Sequence, residues 1–234
     1  MKRQNKKALG AVFLISLAVI ALEIYNRPEY RAVQGNSVEK PKKRVVVDAG
    51  HGGADPGKIG VNGKLEKDIN LEIAHLLQTY LEAEDICVIM TRTEDESADG
   101  NEAGFRKKED MANRVKVMEK AAPAAVVSIH QNSYPEESVR GAQVFYYQGS
   151  IRGKQLAECI QNRLIAKVDP DNHREIKAND TYYLLRYSGA PCVIAECGFL
   201  TNPEEAQKLT EREYQERIAW NICVAVLQYL NKTD

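Results

Sequence analysis

Short apolar runs along the chain have the composition of buried β-strands. They are rich in valine, isoleucine and tyrosine, and several have no polar interruption, which is typical of strands covered on both faces. We predict six strands, at residues 44–48, 86–91, 125–130, 143–147, 181–186 and 192–196. Between some of these runs lie longer segments whose apolar residues recur with the period of a helix.

The helical period is clearest over residues 66–83, where apolar side chains fall on one stripe. This stripe consists of Ile69, Ile73, Leu76, Leu77 and Tyr80. Shorter stripes of the same kind are Met111, Val115 and Met118, and Ile218, Ile222, Ala225 and Leu230. Strands that alternate with helices predict a single α/β domain, with a central twisted sheet of about six strands, mostly parallel or mixed, and helices on both faces.

The first 43 residues follow neither pattern. Residues 1–24 combine the basic segment MKRQNKK with 15 uncharged residues, and predict a signal peptide or an N-terminal membrane anchor. The apolar run is shorter than the ~20 residues usual for a spanning helix, and no clear A-x-A cleavage site follows, so both alternatives stay open. Residues 25–43 are predicted to be a linker, and residues 44–234 an exported folded domain.

Charge and cysteine content narrow the class of protein. The formal net charge of −1 gives no indication of a nucleic-acid partner. Five cysteines in an exported chain raise the question of disulfides, but their number is odd and their spacing forms no tight framework. We therefore predict free, largely buried thiols. The absence of a CxxC motif argues against a metal site made of thiolates.

Groups that can bind metal or transfer protons follow or end separate predicted strands. His51 lies in DAGHGGADPG just past the first strand, His130 closes AVVSIH, and Glu196 closes CVIAE. In open α/β sheets, sites form beyond the carboxyl ends of the strands, and Glu66 at the start of the first helix can reach the same edge. Two imidazoles and one carboxylate are a usual shell for catalytic zinc, and a further carboxylate can handle protons.

The remaining two histidines are weaker candidates. His173 lies in the polar segment DPDNHREIKAND and is the one credible substitute ligand. His75 falls opposite the apolar stripe of the first helix and is predicted to face solvent. A single histidine at a strand end is more often structural than catalytic, so the prediction of a metal site depends on the convergence of several groups.

Several sequence blocks resemble one enzyme family. DAGHGGADPG, LEKDINLEIAHLL, TRTED, SIHQNS, GAQVFYY and IAECGFLTNPEE, in this order over about residues 44–231, resemble the amidase-3 family of zinc-dependent N-acetylmuramoyl-L-alanine amidases. The details SIHQNSY, GAQVFYY and ECGFLTNPEE are most similar to the germination-specific, spore-cortex branch. The resemblance implies a single α/β domain with a central twisted sheet, in agreement with the predicted elements.

The resemblance also implies roles for individual residues. The positions that match the family's zinc ligands are His51, Glu66 and His130, and the position that matches its catalytic glutamate is Glu196. Three further positions match family motifs and are expected to brace the site or contact the substrate: Arg114, Asn132 and Asp48. Some members hold an additional helix over the cleft as an inhibitory plug. No long insertion of that kind is evident here, so an open cleft is expected.

The activity that the resemblance implies is zinc-dependent hydrolysis of the amide between N-acetylmuramic acid and L-alanine in peptidoglycan. Release of the stem peptide would belong to spore-cortex maturation leading to muramic-δ-lactam. The enzyme would act at the outer face of the cytoplasmic membrane, in the wall or in the spore cortex, with the N-terminal segment as an optional attachment. Alternatives are a zinc peptidase that cuts within the stem peptide and a non-catalytic cell-wall binding protein. The need for an accessory protein stays open.

Overall fold

The computed structural model describes residues 42–98 and 106–232. The elements in chain order are β1 (Arg44–Ala49), α1 (Glu66–Ala83), β2 (Cys87–Met90), α2 (Lys107–Ala121), β3 (Ala125–Asn132), β4 (Gln143–Tyr147), α3 (Ile151–Lys167), β5 (Lys177–Asn179), α4 (Tyr183–Tyr187), β6 (Cys192–Phe199), α5 (Pro203–Lys208) and α6 (Arg212–Lys232). The predicted α/β class is confirmed, and the first helix has the predicted bounds.

The six strands form one mixed sheet in the order β2-β1-β3-β6-β4-β5. β1 pairs in parallel with β2 and β3, and β3 pairs in parallel with β6. β4 runs antiparallel to β6 and parallel to β5. The carboxyl ends of β1, β3 and β6 therefore share one edge of the sheet, which is where their sequences place His51, His130 and Glu196.

Both faces of the sheet are covered by helices because the buried strands are apolar on both sides. Val45 and Val47 of β1 pack in a core with α1, α3 and α6, whereas Val46 packs on the other face with α2 and α4. The predicted stripes supply the helical side of these cores. Ile73 of α1 and Met118 of α2 are fully buried.

The strand predicted at 181–186 is wrong. The edge strand next to β4 is β5, which is shorter than the predicted strand and lies before it in the chain. Tyr183–Tyr187 form the helix α4 instead. The side-chain oxygen of Asn179 accepts hydrogen bonds from the backbone N–H groups of Thr181 and Tyr182, which turns the chain out of β5. A short run of this kind is compatible with either a strand or a helix. Here it forms a helix, which buries Leu184 and Leu185 on one side.

The five cysteines are all free, as predicted, although Cys87 is exposed and Cys159 is half-buried. The expected export segment 1–24 and residues 25–41 of the expected linker lie outside the described residues. Within residues 42–98 and 106–232, no helix combines the length and the apolar character needed to cross a membrane.

Candidate metal centre and active site

His51 lies in the loop after β1 in a left-handed conformation, with φ of 61°, which is costly for a residue with a side chain. Its Nδ1 atom is 2.9 Å from Oδ2 of Asp55. This contact turns the other ring nitrogen, Nε2, toward Glu66, whose Oε1 is 3.2 Å away. Asp55 thus selects the nitrogen that His51 presents to the centre of the site.

Glu66, the first residue of α1, is the meeting point of the cluster. Its Oε1 lies 3.0 Å from Nδ1 of His130 and accepts a hydrogen bond from the backbone N–H of Gln131. Its Oε2 accepts the backbone N–H of Lys58. Burial alone raises the pKa of Glu66, but the hydrogen bonds and positive charge of the two histidines outweigh it, so the pKa lies below its usual range.

His51, Glu66 and His130 bring one ligand atom each to within 4.8 Å of one another. Two glycines make this convergence sterically feasible. A Cβ at Gly50 would lie 2.3 Å from atoms of the His130 ring, and a Cβ at Gly57 would lie 2.7 Å from Oε2 of Glu66. The backbone is therefore shaped around these three side chains, and two imidazoles with one carboxylate are a donor set that suits Zn²⁺.

The cluster favours positive charge. Burial lowers the pKa of His51, yet hydrogen bonds to Asp55 and Glu66 and their charges outweigh it and raise the pKa to about 9. Within the described residues, the cluster consists of the rings of His51 and His130 and the buried carboxylate of Glu66, which both rings contact. Such a site stabilises a bound cation by the same interactions that stabilise a proton.

Glu196 faces the cluster from the neighbouring strand. It is in register with His130 across the β3–β6 pair, and both residues line a cavity of 330 Å³ together with His51. The Oε2 atom of Glu196 is buried and has no hydrogen-bond partner. Burial raises the pKa of this carboxyl group to about 7, with the charge of Glu66 adding to the rise and that of His130 opposing it. We call this space the Glu196 cavity.

The Glu196 cavity is bounded on its other sides by α2, α4 and the loop before α4. Its lining includes Met111 and Lys107 of α2, Leu184 of α4, and Tyr182 and Ile194. This lining combines apolar side chains with a lysine, whose Nζ lies 3.5 Å from Oδ2 of Asp55. A substrate that reaches Glu196 thus passes between apolar walls and the ion pair of Lys107 and Asp55.

Arg114 and Asp48 form a buried ion pair beneath the site. Arg114 donates to Oδ1 of Asp48 at 2.7 Å, and also to the backbone carbonyls of Ala49 and His51. Burial alone raises the pKa of Asp48, but the charge of Arg114 and hydrogen bonds from Ser128 and Thr91 lower it to about 2. The pair therefore fixes the loop that carries His51.

Asn132, the third of these motif positions, does not line the Glu196 cavity. It ends β3, where its side-chain oxygen accepts the N–H of Ser133 and its carbonyl accepts the N–H of Leu200. Of the other histidines, His173 is exposed and outside the cluster, and His75 is half-buried with Nε2 3.0 Å from the carbonyl of Thr93. The expectation that His75 faces solvent holds only in part.

Sequence reasoning missed Arg92, which lies just past β2 and is buried. Its Nε and Nη2 groups donate to the carbonyls of Ala49 and Gly50, and Nη2 also donates to the carbonyl of Lys67. Arg92 thus ties the His51 loop to the first turn of α1, one residue from Glu66. The block TRTED marks the position, but no periodicity indicates that its arginine turns inward.

The comparison with known families identifies the family to which this site belongs. Residues 45–228 match the Amidase_3 family, described as N-acetylmuramoyl-L-alanine amidase. The chain belongs to this family. The match covers every residue of the cluster and of the Glu196 cavity, and all of the sheet except Arg44.

Individual relatives agree with the family. The amidase is 34% identical over 224 residues to the germination-specific N-acetylmuramoyl-L-alanine amidase of Bacillus subtilis, covering 94% of this chain and 92% of that one. The CwlD amidase from Clostridioides difficile, solved in complex with the GerS lipoprotein, is 37% identical with a TM-score of 0.76. An amidase from Clostridium difficile 630 is 30% identical with a TM-score of 0.73. These matches cover 82% and 83% of this chain and 100% of both solved chains.

These findings confirm the predicted family, its likeness to the germination-specific branch and the fold class. The chain is an N-acetylmuramoyl-L-alanine amidase, and peptidoglycan is the substrate class. The alternative of a non-catalytic binding protein is set aside. The donor set of the cluster and the two glycines shaped around it fit a zinc ion.

Asp55 provides a test of the metal centre that does not depend on turnover. We expect Asp55→Asn to lower zinc affinity about 10- to 100-fold, because the variant keeps the shape of the side chain but loses the charge that orients His51. Affinity would be measured by competition with a chromogenic chelator. Asp85→Asn, at an exposed carboxylate paired with Lys42, is the matched control. Equal zinc affinity in both variants would contradict the role given to Asp55.

Proposed function

We propose that the amidase is zinc-dependent and cleaves the bond between N-acetylmuramic acid and L-alanine with His51, Glu66 and His130 as metal ligands and Glu196 as the catalytic group. The observation that carries this proposal is the convergence of the three ligand atoms beside a buried carboxylate oxygen that lacks a partner. When bound, the zinc ion would polarise the scissile carbonyl and lower the pKa of the attacking water.

Glu196 supplies the proton transfers that amide hydrolysis needs. Its carboxylate accepts a proton from the attacking water, and the resulting acid donates a proton to the departing amine nitrogen. Burial raises the pKa of Glu196 above its ordinary value, and such a rise favours a group that must both accept and donate a proton near neutral pH. Asp55 holds the ring of His51, and Arg92 and Arg114 hold the backbone on either side of it.

The biological setting is proposed from the relatives. Similarity to a germination-specific amidase supports action on the spore cortex, with stem-peptide removal as a step toward muramic-δ-lactam. We propose export, with residues 1–24 as signal peptide or membrane anchor, residues 25–43 as linker and residues 44–234 as the catalytic domain. The relative solved in complex with the GerS lipoprotein supports an accessory protein for this amidase too.

The function is tested on purified peptidoglycan of defined stem composition, with metal-depleted protein and with protein given zinc. We expect free stem peptide with an L-alanine amino terminus, identified by mass, only when zinc is present. Fragments cut within the stem would support the peptidase alternative, and no release by zinc-loaded protein would contradict the proposal.

His130→Ala extends this test to the ligand set. We expect it to lower the zinc content measured by elemental analysis, whereas His173→Ala, at an exposed histidine, should retain the content of the parent protein. Full zinc occupancy of His130→Ala would remove His130 from the ligand set.

A further inference from the structure

Exposed apolar side chains lie on two loops at the same edge of the sheet as the metal cluster. Ile59 is 56% exposed and Val61 is 52% exposed in the loop before α1, and Tyr134 is 53% exposed in the loop after β3. These loops border a groove of 350 Å³, the Tyr134 groove, lined by Lys58, Val61, Ser133, Tyr134, Pro135, Glu137 and Thr201. None of these residues lines the Glu196 cavity.

The Tyr134 groove and the Glu196 cavity border different sides of the metal cluster. The cavity opens toward α2 and α4, on one face of the sheet. The groove begins at Lys58, whose N–H donates to Oε2 of Glu66 at 2.8 Å, and Glu66 belongs to α1 on the other face. The contact from Lys58 to Glu66 therefore connects the groove to the metal cluster from the face opposite the cavity.

The Tyr134 groove is formed by backbone that is already hydrogen-bonded. The N–H of Val61 donates to the carbonyl of Leu200, and the N–H of Tyr134 donates to Oγ1 of Thr201. On the far side, the side chain of Asn202 donates to the carbonyl of Glu137. Since both loops are fixed to the segment after β6, a ligand would bind with little ordering of the protein.

The chemistry of the groove suits a neutral, hydroxyl-rich ring. Tyr134 offers an exposed aromatic face, and Ser133 and Thr201 offer hydroxyl groups. Lys58 and Glu137 carry opposite charges, so the groove has no net charge to select an ion. The Glu196 cavity differs because its lining holds many charged groups, with Lys107 and Arg114 beside Asp48, Asp55 and Asp110, which suits the charged and amide groups of a peptide rather than a neutral sugar.

We infer that the Tyr134 groove binds the uncharged glycan strand of peptidoglycan, with the apolar face of an N-acetylated sugar on Tyr134 and the acidic stem peptide in the Glu196 cavity. This inference rests on the proposed function, which brings both parts of the substrate to the cluster. The glycan contact would be made equally in the bound substrate and the transition state, and so it would act on KM rather than on kcat.

The test compares Tyr134→Ala with Tyr134→Phe and with Trp220→Ala, a control at an aromatic side chain that is 45% exposed on α6 and lines neither space. On long-chain peptidoglycan we expect Tyr134→Ala to raise KM about five- to tenfold with kcat unchanged, because an aromatic stacking contact is lost. Tyr134→Phe retains the aromatic face and should behave like the parent protein, as should Trp220→Ala. An unchanged KM in Tyr134→Ala would overturn the inference.

A binding measurement separates the inference from turnover. A β-1,4-linked hexamer of N-acetylglucosamine, titrated calorimetrically into the full chain, should bind the parent protein and bind Tyr134→Ala about five- to tenfold more weakly. A synthetic stem peptide should bind both proteins equally. If Tyr134→Ala weakens binding of the stem peptide instead, the assignment of the glycan to this groove is wrong. Failure of the proposed function is recognised separately, by a zinc-loaded parent protein that releases no stem peptide.

Discussion

Glu196→Gln is expected to lower kcat on purified muropeptides by a factor of about 10²–10⁴, because glutamine keeps the size of the side chain but cannot accept the proton of the attacking water. The rate would be followed as free stem peptide by mass. Zinc content should equal that of the parent protein, since Glu196 is outside the group of three ligand atoms. The exposed exchange Glu158→Gln on α3 is the matched control.

The same variant has an expected effect on stability that distinguishes catalysis from damage to the fold. In the folded protein, burial raises the pKa of Glu196 to about 7, so ionisation of this group opposes folding as pH rises above its ordinary pKa. Glutamine removes that cost. We expect Glu196→Gln to unfold at the same or a higher temperature than the parent protein at neutral pH. Near-normal turnover of muropeptides by Glu196→Gln would contradict the role of Glu196 as the catalytic group.

Arg114→Met is expected to lower the free energy of unfolding by about 3–5 kcal/mol, because it leaves the buried carboxylate of Asp48 without its cation. Urea denaturation followed by circular dichroism would measure the loss. The matched control is Arg106→Met, at an exposed arginine directly before the same helix, where we expect a change within about 0.5 kcal/mol. A double variant that also carries Asp48→Asn should recover part of the loss, since it removes one of the two carboxylates, Asp48 and Asp110, that Arg114 neutralises.

The pH dependence of this loss follows from the ionisation of Asp48. Its folded-state pKa of about 2 lies below the ordinary value of 3.8, so its contribution is present above about pH 4 and is lost as pH falls toward 2. In Arg114→Met the charge that holds this pKa down is absent. The difference in unfolding free energy between variant and parent should therefore shrink between pH 5 and pH 3. A difference that stays constant over this range would contradict the ion-pair explanation.

The sheet and the metal cluster could be predicted because their signals are local and periodic. Apolar runs mark β1, β3 and β6, and parallel strands bring their carboxyl ends to one edge. His51 lies just past the end of β1, and His130 and Glu196 lie two and three residues before the ends of β3 and β6, so strand order brings them close together. Glu66 joined them because it opens the first helix, close in sequence to that edge.

Other parts of the site depend on contacts that leave no pattern in the sequence. Arg92 and Arg114 act by donating to the backbone carbonyls of the His51 loop and of Lys67, which are 25 to 65 residues away in chain order, and carbonyls are the same at every position. The helix that follows Tyr182 is missed for a different reason. The residues after it were expected in a strand, whereas a turn at Asn179 and the burial of Leu184 place them in a helix.

The two arginines that meet at the carbonyl of Ala49 determine how far the metal centre can be treated as a portable motif. Arg92 follows β2 and Arg114 belongs to α2, yet both hold the segment that keeps His51 at a positive φ. A designer who grafts DAGHGGADPG onto another strand would transfer the imidazole without the restraints that offset its backbone strain. Such a graft should bind metal poorly until both guanidinium groups are transplanted as well.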